Sequence, residues 1–387
     1  LNETEYLLTY TDDGGRNPYG QVPKPFGIYF MTIDGRRELL VADPTISCNQ
    51  PVPLAARREP GVRPSPVDYR KQTGTYLVQD VYHGPGLQRV ARGTIKRLRV
   101  VAIEFRAAVV GSNGNSGPAG GALVSTPVSI NGTWDVKRVL GTTEVYEDGS
   151  AAFIVPARTP VYFQVLDENN HAVQTMRSWS TLQPGETFSC VGCHEDKNST
   201  PAAEPVLSEA GRIGPKPLEP FYGQTAGFSF PQTIQPILDK HCVECHSRQT
   251  VADGKSTISL EATGELDGGS QKIWSDGYKT LANRKFASWV SPQSAPPMLS
   301  PYHTGAAKSP LIKLLVEGHE DVTLTQEDLD KLACWIDIGV PYCGEYTEKM
   351  NEEQLPTYNK YLAKRKHWEA VEAENIRELI EAGTENP

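Results

Sequence analysis

A chain of 387 residues has room for two or three domains with cores of their own. Its formal net charge of −9, from 47 acidic against 38 basic residues without a basic stripe, excludes a nucleic-acid binder, and no apolar run is long enough to cross a bilayer. No leader segment is visible, because the chain opens on strand-like residues, as a mature form or a fragment would.

Residues 1–50 read as β-hairpins. Tyr6–Tyr10 is strand-like, and Gly27–Met31 and Glu38–Val41 flank Asp34-Gly35, a hairpin signal. Residues 51–75, rich in proline and arginine, read as a linker. The stretch 76–185 predicts a small β-sandwich, with strands over Tyr76–Tyr82, Arg97–Arg106, Thr143–Glu147, Ala151–Val155 and Val161–Leu166. Asp148-Gly149 is expected to join two of these as a two-residue hairpin, and residues 111–121 form a Gly/Ser/Asn-rich loop.

From about residue 186 strand patterning gives way to helix signals. Residues 186–225 form a first haem segment and 226–350 a C-terminal cytochrome c domain. Pro310 at a first helical position opens a helix with an apolar stripe of Leu311, Ile312, Leu314 and Leu315. Thr325 with Asp328 suits the start of a further helix running to Ile338. Residues 351–387 carry a long C-terminal helix on which Leu355, Tyr358, Leu362, Trp368, Val371 and Leu379 recur. The fold class is therefore α+β: β-hairpins and a small sandwich, then a mainly α cytochrome region.

Two segments carry chemistry. Cys190-Val191-Gly192-Cys193-His194 and Cys242-Val243-Glu244-Cys245-His246 are both C-x-x-C-H. Two thiols three residues apart reach the two vinyl-derived carbons on one haem edge, and the adjacent imidazole then lies under the iron. A zinc site would not require histidine directly after the second cysteine. Two covalently bound haem c groups are expected, on Cys190/Cys193 and Cys242/Cys245, with His194 and His246 as axial ligands.

For the opposite axial positions, His319 is the candidate for the second haem, since Gly318 releases it from the end of the preceding helix. For the first haem His83, at a strand end beside the turn Gly84-Pro85-Gly86, stands ahead of His241 and His303. Met298 is a rival, because a thioether ligand would raise the potential. His171 falls in a hairpin turn and His367 on the exposed long helix. Cys334 and Cys343, nine positions apart at a helix end, are expected to form a disulfide, and Cys48 is left over.

Several of these segments resemble one family. Thr175-Met176-Arg177-Ser178-Trp179, Ser189–Glu195, Ile234–Cys242, Ser291–Ala295, Glu317-Gly318-His319 and Trp335-Ile336-Asp337 together resemble the middle and C-terminal haem domains of the hydrazine synthase alpha-subunit family, over about residues 1 to 380. The resemblance implies a β-propeller blade at residues 1–50 and a bis-histidine second haem, matching His246 and His319. For hydrazine synthase proper it also implies a tyrosine on the first iron just after the haem motif, with the motif histidine turned toward zinc. Here Glu195, Asp196, Lys197 and Asn198 follow His194, and no tyrosine comes before Tyr222. An ordinary His194–iron bond is expected instead.

The leading functional expectation is a dihaem cytochrome that transfers electrons to and from a redox protein partner, periplasmic or extracellular after export. The alternatives are a haem enzyme acting on a small nitrogen or oxygen compound at the first haem, and a subunit of a haem-containing oligomer. Self-assembly or a partner subunit, with no nucleic acid and no membrane span, completes the expected set of partners.

Overall fold

The computed structural model describes residues 3–11, 25–54, 56, 61, 65–104, 135–193, 207–223, 226–267, 272–290, 298–350 and 352–382. The chain divides into two compact units, Leu1–Pro64 and Ser65–Pro387. The first holds one antiparallel sheet of β1 (Glu5–Tyr10), β2 (Gly27–Thr32) and β3 (Arg37–Val41), in that order. Gly35 at φ +87° makes the turn between β2 and β3, with its N–H on Thr32 O at 2.8 Å.

The second unit begins with two facing sheets. One contains β4 (Thr73–Val78), β7 (Ala151–Pro156) and β10 (Thr187–Cys190), with β4 in the centre. The other orders its strands as β6 (Lys137–Glu144), β5 (Arg97–Ile103), β8 (Val161–Leu166) and β9 (Ala172–Thr175). Side chains alternate across a strand, and β5 uses both faces. Leu98, Val100 and Ala102 pack with Tyr76, Val78, Phe153 and Val155 between the sheets. Val101 and Ile103 face the other way, into a cluster with Phe228, Phe230, Ile234, Trp274 and Trp335 of the helical region. A sheet buried on both sides explains why six of the seven β5 residues are buried.

The helical region carries α1 (Glu209–Ile213), α2 (Gln235–His241), α3 (Arg248–Ala252), a hairpin of β11 (Gly264–Asp267) and β12 (Lys272–Ser275), α4 (Asp276–Leu281), α5 (Pro310–Glu317) and α6 (Gln326–Asp337). Its centre is an aromatic knot in which the Tyr342 ring lies 4.6 Å from Tyr278 and 4.8 Å from Trp274. A polar node locks this region to the sandwich. Asp337, fully buried at the end of α6, accepts the Ala172 N–H of β9 at 2.9 Å and the Ala306 N–H at 2.7 Å, and pairs with Arg99 of β5 at 3.5 Å. Arg99 also donates to Gln164 Oε1 at 3.0 Å and to Asn170 O at 3.1 Å.

Several expectations need correction. The strands do not stop at 186, because β10 lies parallel to β4, with Cys190 opposite Val78. The first haem motif thus begins on a sandwich strand, and only a long-range pairing reveals it. β4 and β6 run Thr73–Val78 and Lys137–Glu144, each starting earlier than the sequence pattern suggested. The Asp148-Gly149 turn is present, but β6 and β7 belong to different sheets, so it changes sheets instead of closing a hairpin. The 111–121 loop lies outside the described residues. The three later helices form where expected. Thr325 and Asp328 make both halves of a capping box, and α7 (Gln354–Glu381) extends for 28 residues. Little packs against α7: Arg158 meets Glu372 at 3.7 Å, while Trp368 remains 60% exposed. Among the described residues no helix is long and apolar enough to cross a membrane.

Candidate haem sites

The second motif continues directly from α2. The Cys242 N–H caps Leu238 O at 2.8 Å, and the His246 N–H bonds Cys242 O at 2.9 Å, so the motif forms helical turns. Cys242 is half-buried against the aromatic cluster, where burial pushes its thiol up to about 11, while Cys245 is exposed. His319 arrives from the far side. α5 ends at Gly318 (φ +102°), and Glu320 follows in the left-handed region (φ +50°). Two left-handed residues around one histidine make a sharp bend that aims it, a local strain of the kind found at functional sites.

The bend brings the two imidazoles together. The rings of His246 and His319 are nearly parallel, 15° apart, with centroids 5.9 Å from each other. An iron bound by two imidazole nitrogens, each about 2.0 Å away with its ring centre about 1.1 Å further on, sets the centroids about 6.2 Å apart. The residues present therefore fit a bis-histidine haem. A third residue, invisible in the motif, fixes the tautomer. His246 Nδ1 lies 2.9 Å from Ser256 Oγ, whose own proton goes to Ile258 O at 2.9 Å. The hydroxyl must then accept from Nδ1–H, which leaves the Nε2 lone pair for a metal. Burial and the neighbouring His319 ring hold the His246 pKa below that of an ordinary imidazole, which favours the neutral ligand.

The first motif stands at the edge of the sandwich. Its backbone extends the pairing of β10 with β4, as Gln79 N–H bonds Cys190 O at 2.9 Å and Asp80 N–H bonds Val191 O at 3.1 Å. At Gly192 a Cβ would lie 2.3 Å from the His83 carbonyl oxygen and 2.7 Å from its Cβ, so only glycine fits there. Cys190 and Cys193 line a cavity of about 490 Å³ together with Val78, Leu98, Phe163, Val165, Met176 and Phe188. A volume and an apolar wall of this kind suit a cofactor. Phe188, on this wall, is 45% exposed. The donor set and the cavity fit a haem attached through the two cysteines.

The other candidates fall elsewhere. His194 lies outside the described residues. His83 packs against the Gly192 backbone but does not line the cavity. His241 Nε2 sits 3.8 Å from Asp328 Oδ2 at the start of α6. His303 is exposed, His171 is half-buried with its N–H on Asp167, and the His367 ring leans on Trp368. Met298 is 42% exposed and does not line the cavity. Cys334 and Cys343 are buried thiols in one core cluster and are not joined to each other, in place of the expected disulfide. Cys334 is an interior position of α6, where a thiol fills space as a small apolar group. Among the described residues no cluster of three or more His, Cys, Asp or Glu could hold a metal ion.

The profile of the hydrazine synthase alpha subunit middle domain matches residues 93–195, which run from β5 through the first haem motif. The alpha subunit of hydrazine synthase from Kuenenia stuttgartiensis is 23% identical over 465 aligned positions, covering 88% of this chain. The chain spans about half the length of that curated relative, 55% of it. The solved hydrazine synthase of Kuenenia stuttgartiensis has a similar fold, with a TM-score of 0.61 over 87% of this chain and 53% of the other, at 19% identity. In sequence, in its middle domain and in fold, the chain is hydrazine synthase alpha-like.

Proposed function

We propose that this chain is a dihaem c-type cytochrome that carries electrons between partners. The observation behind the reading is the parallel pair His246 and His319, which would occupy both axial positions of the second iron. When bound, the haems supply one-electron chemistry. The protein's part is to attach them through Cys190/Cys193 and Cys242/Cys245, to hold the imidazoles, and to keep water from the core-facing side. Ser256 fixes one tautomer, and the bend at Gly318 and Glu320 fixes the opposite ring. With His246 and His319 both holding it, the second haem would offer no open position to a substrate and would supply electron transfer alone. Covalent haem attachment suits an exported protein, periplasmic or extracellular, and an acidic surface suits a basic redox partner.

A second reading rests on the 490 Å³ cavity at Cys190 and Cys193. With an axial position open there, the first haem would act on a small nitrogen or oxygen compound. The name of the relative, a subunit of a synthase, supports partner subunits under either reading. Carbon monoxide added to the reduced, haem-loaded chain separates the two. The relay predicts no rapid stoichiometric binding, and fast binding at one haem supports the enzyme.

A further inference from the structure

We propose that Met176 supplies its thioether sulfur to the iron of the first haem. The inference rests on the dihaem reading above and assigns the ligand that reading leaves open. The candidate donors are the side chains of the wall that contains Cys190 and Cys193. Most of that wall is hydrocarbon: Val78, Leu98, Phe163, Val165 and Phe188 have no atom that can bind iron. None of the described histidines contributes to it.

The remaining polar side chains are committed or unsuited. Tyr76 is fully buried and donates its phenol proton to Ser180 Oγ at 2.8 Å. Gln174 spends its amide on Leu299 O at 2.8 Å and Gly86 O at 3.3 Å. Arg177 carries a positive charge that an iron cation repels, and Ser178 offers a neutral hydroxyl. The two cysteine sulfurs are used in attachment. Met176 is left, a soft, uncharged donor of a type used in c-type cytochromes.

Its backbone is well placed for a fixed ligand. Met176 follows β9 and donates its N–H to Phe163 O at 2.9 Å, so it continues the sheet. Its side chain is half-buried and also packs against the aromatic cluster of the helical region. The sulfur would thus bind at the boundary between the sandwich and the domain of the second haem. The step is coordination only: a sulfur lone pair fills one axial position, with no bond broken and no electron transferred. A methionine-ligated first haem and a bis-histidine second haem would differ in potential, the first being higher, which gives the relay a direction.

The test uses the full haem-loaded chain. Mass spectrometry first counts the haems; a chain without haem on Cys190 and Cys193 overturns the dihaem reading and this assignment with it. In the oxidised protein with both haems present, the far-red sulfur-to-iron charge-transfer band should appear, in an amount matching one haem of the two. Met176→Leu keeps the shape and deletes the sulfur, so the band should vanish and one haem should become high-spin. Met176→His should also abolish the band, keep both haems low-spin and lower the potential of one. With two haems counted, absence of the band from the wild type overturns the assignment and points to a histidine such as His83. Persistence of the band in Met176→Leu overturns it equally.

Discussion

Replacing Asp337 by asparagine should destabilise the chain severely, although the change is nearly isosteric. The carboxylate is completely buried, and burial alone pushes it up toward the neutral form; Arg99 and the amides of Ala172 and Ala306 counter this. Oδ1 takes the Ala306 N–H, and Oδ2 takes both the Ala172 N–H and Arg99. Asparagine has a single acceptor oxygen, so its NH2 group must face one of those donors. The guanidinium, itself 1% exposed, then keeps its charge without a counter-charge. Breaking a buried pair in this way costs about 3–5 kcal/mol, a large share of the roughly 5–15 kcal/mol that holds a typical domain together. Arg99→Met alone strands the Asp337 carboxylate and also takes the donor from Gln164 Oε1 and Asn170 O, while adding it to Asp337→Asn removes the stranded guanidinium charge. The double variant should therefore cost less than the two single changes together. Urea unfolding followed by circular dichroism measures all three variants. A cost below about 1 kcal/mol for Asp337→Asn, or a double variant as costly as the two single changes together, would refute the account of this node.

Three further outcomes follow from the same geometry. Ser256→Ala removes the acceptor of the His246 Nδ1 proton, making the imidazole a weaker donor, so the midpoint potential of the second haem should rise; an unchanged potential in a redox titration counts against the tautomer assigned here. Lys137 is buried and pushed down to about 8, below the usual lysine value of about 10.4, so the unfolded chain binds more protons between those values. Stability therefore rises with pH across that window, and this rise should be absent from Lys137→Met; an equal pH slope of thermal unfolding in the two proteins contradicts it. Cys334 and Cys343 should both resist alkylation in the folded protein and react after denaturation without reductant, whereas protection that survives denaturation would mean a disulfide.

Local signals made part of this molecule legible. Pro310, Thr325 with Asp328, and the Asp34-Gly35 turn act through neighbours a few residues away, and the structure forms α5, α6 and the β2–β3 turn where they stand. The two C-x-x-C-H motifs are read the same way, because attachment chemistry sets their spacing. In the sequence only Gly318 signals the bend that presents His319, while Glu320, which completes it, carries no sequence signal. The long-range features could not be seen. β10 becomes a strand by pairing with β4, more than a hundred positions earlier in the chain. Ser256 is one serine among many until the chain folds back onto His246. Met176 lies within a segment that carries the family resemblance, yet only the cavity around Cys190 and Cys193 shows which side chains share a wall. The mismatch at Asp148-Gly149 has the same origin, since a turn sequence specifies a reversal and not which sheet receives the next strand.

The central claim is that the second haem is held between His246 and His319. Low-temperature electron paramagnetic resonance of the oxidised, haem-loaded chain, compared with its His319→Ala variant, tests it most directly. The account predicts that one low-spin signal gives way to a high-spin signal while the other is unchanged and both haems remain attached by mass. Two unaltered low-spin signals in the variant would contradict it.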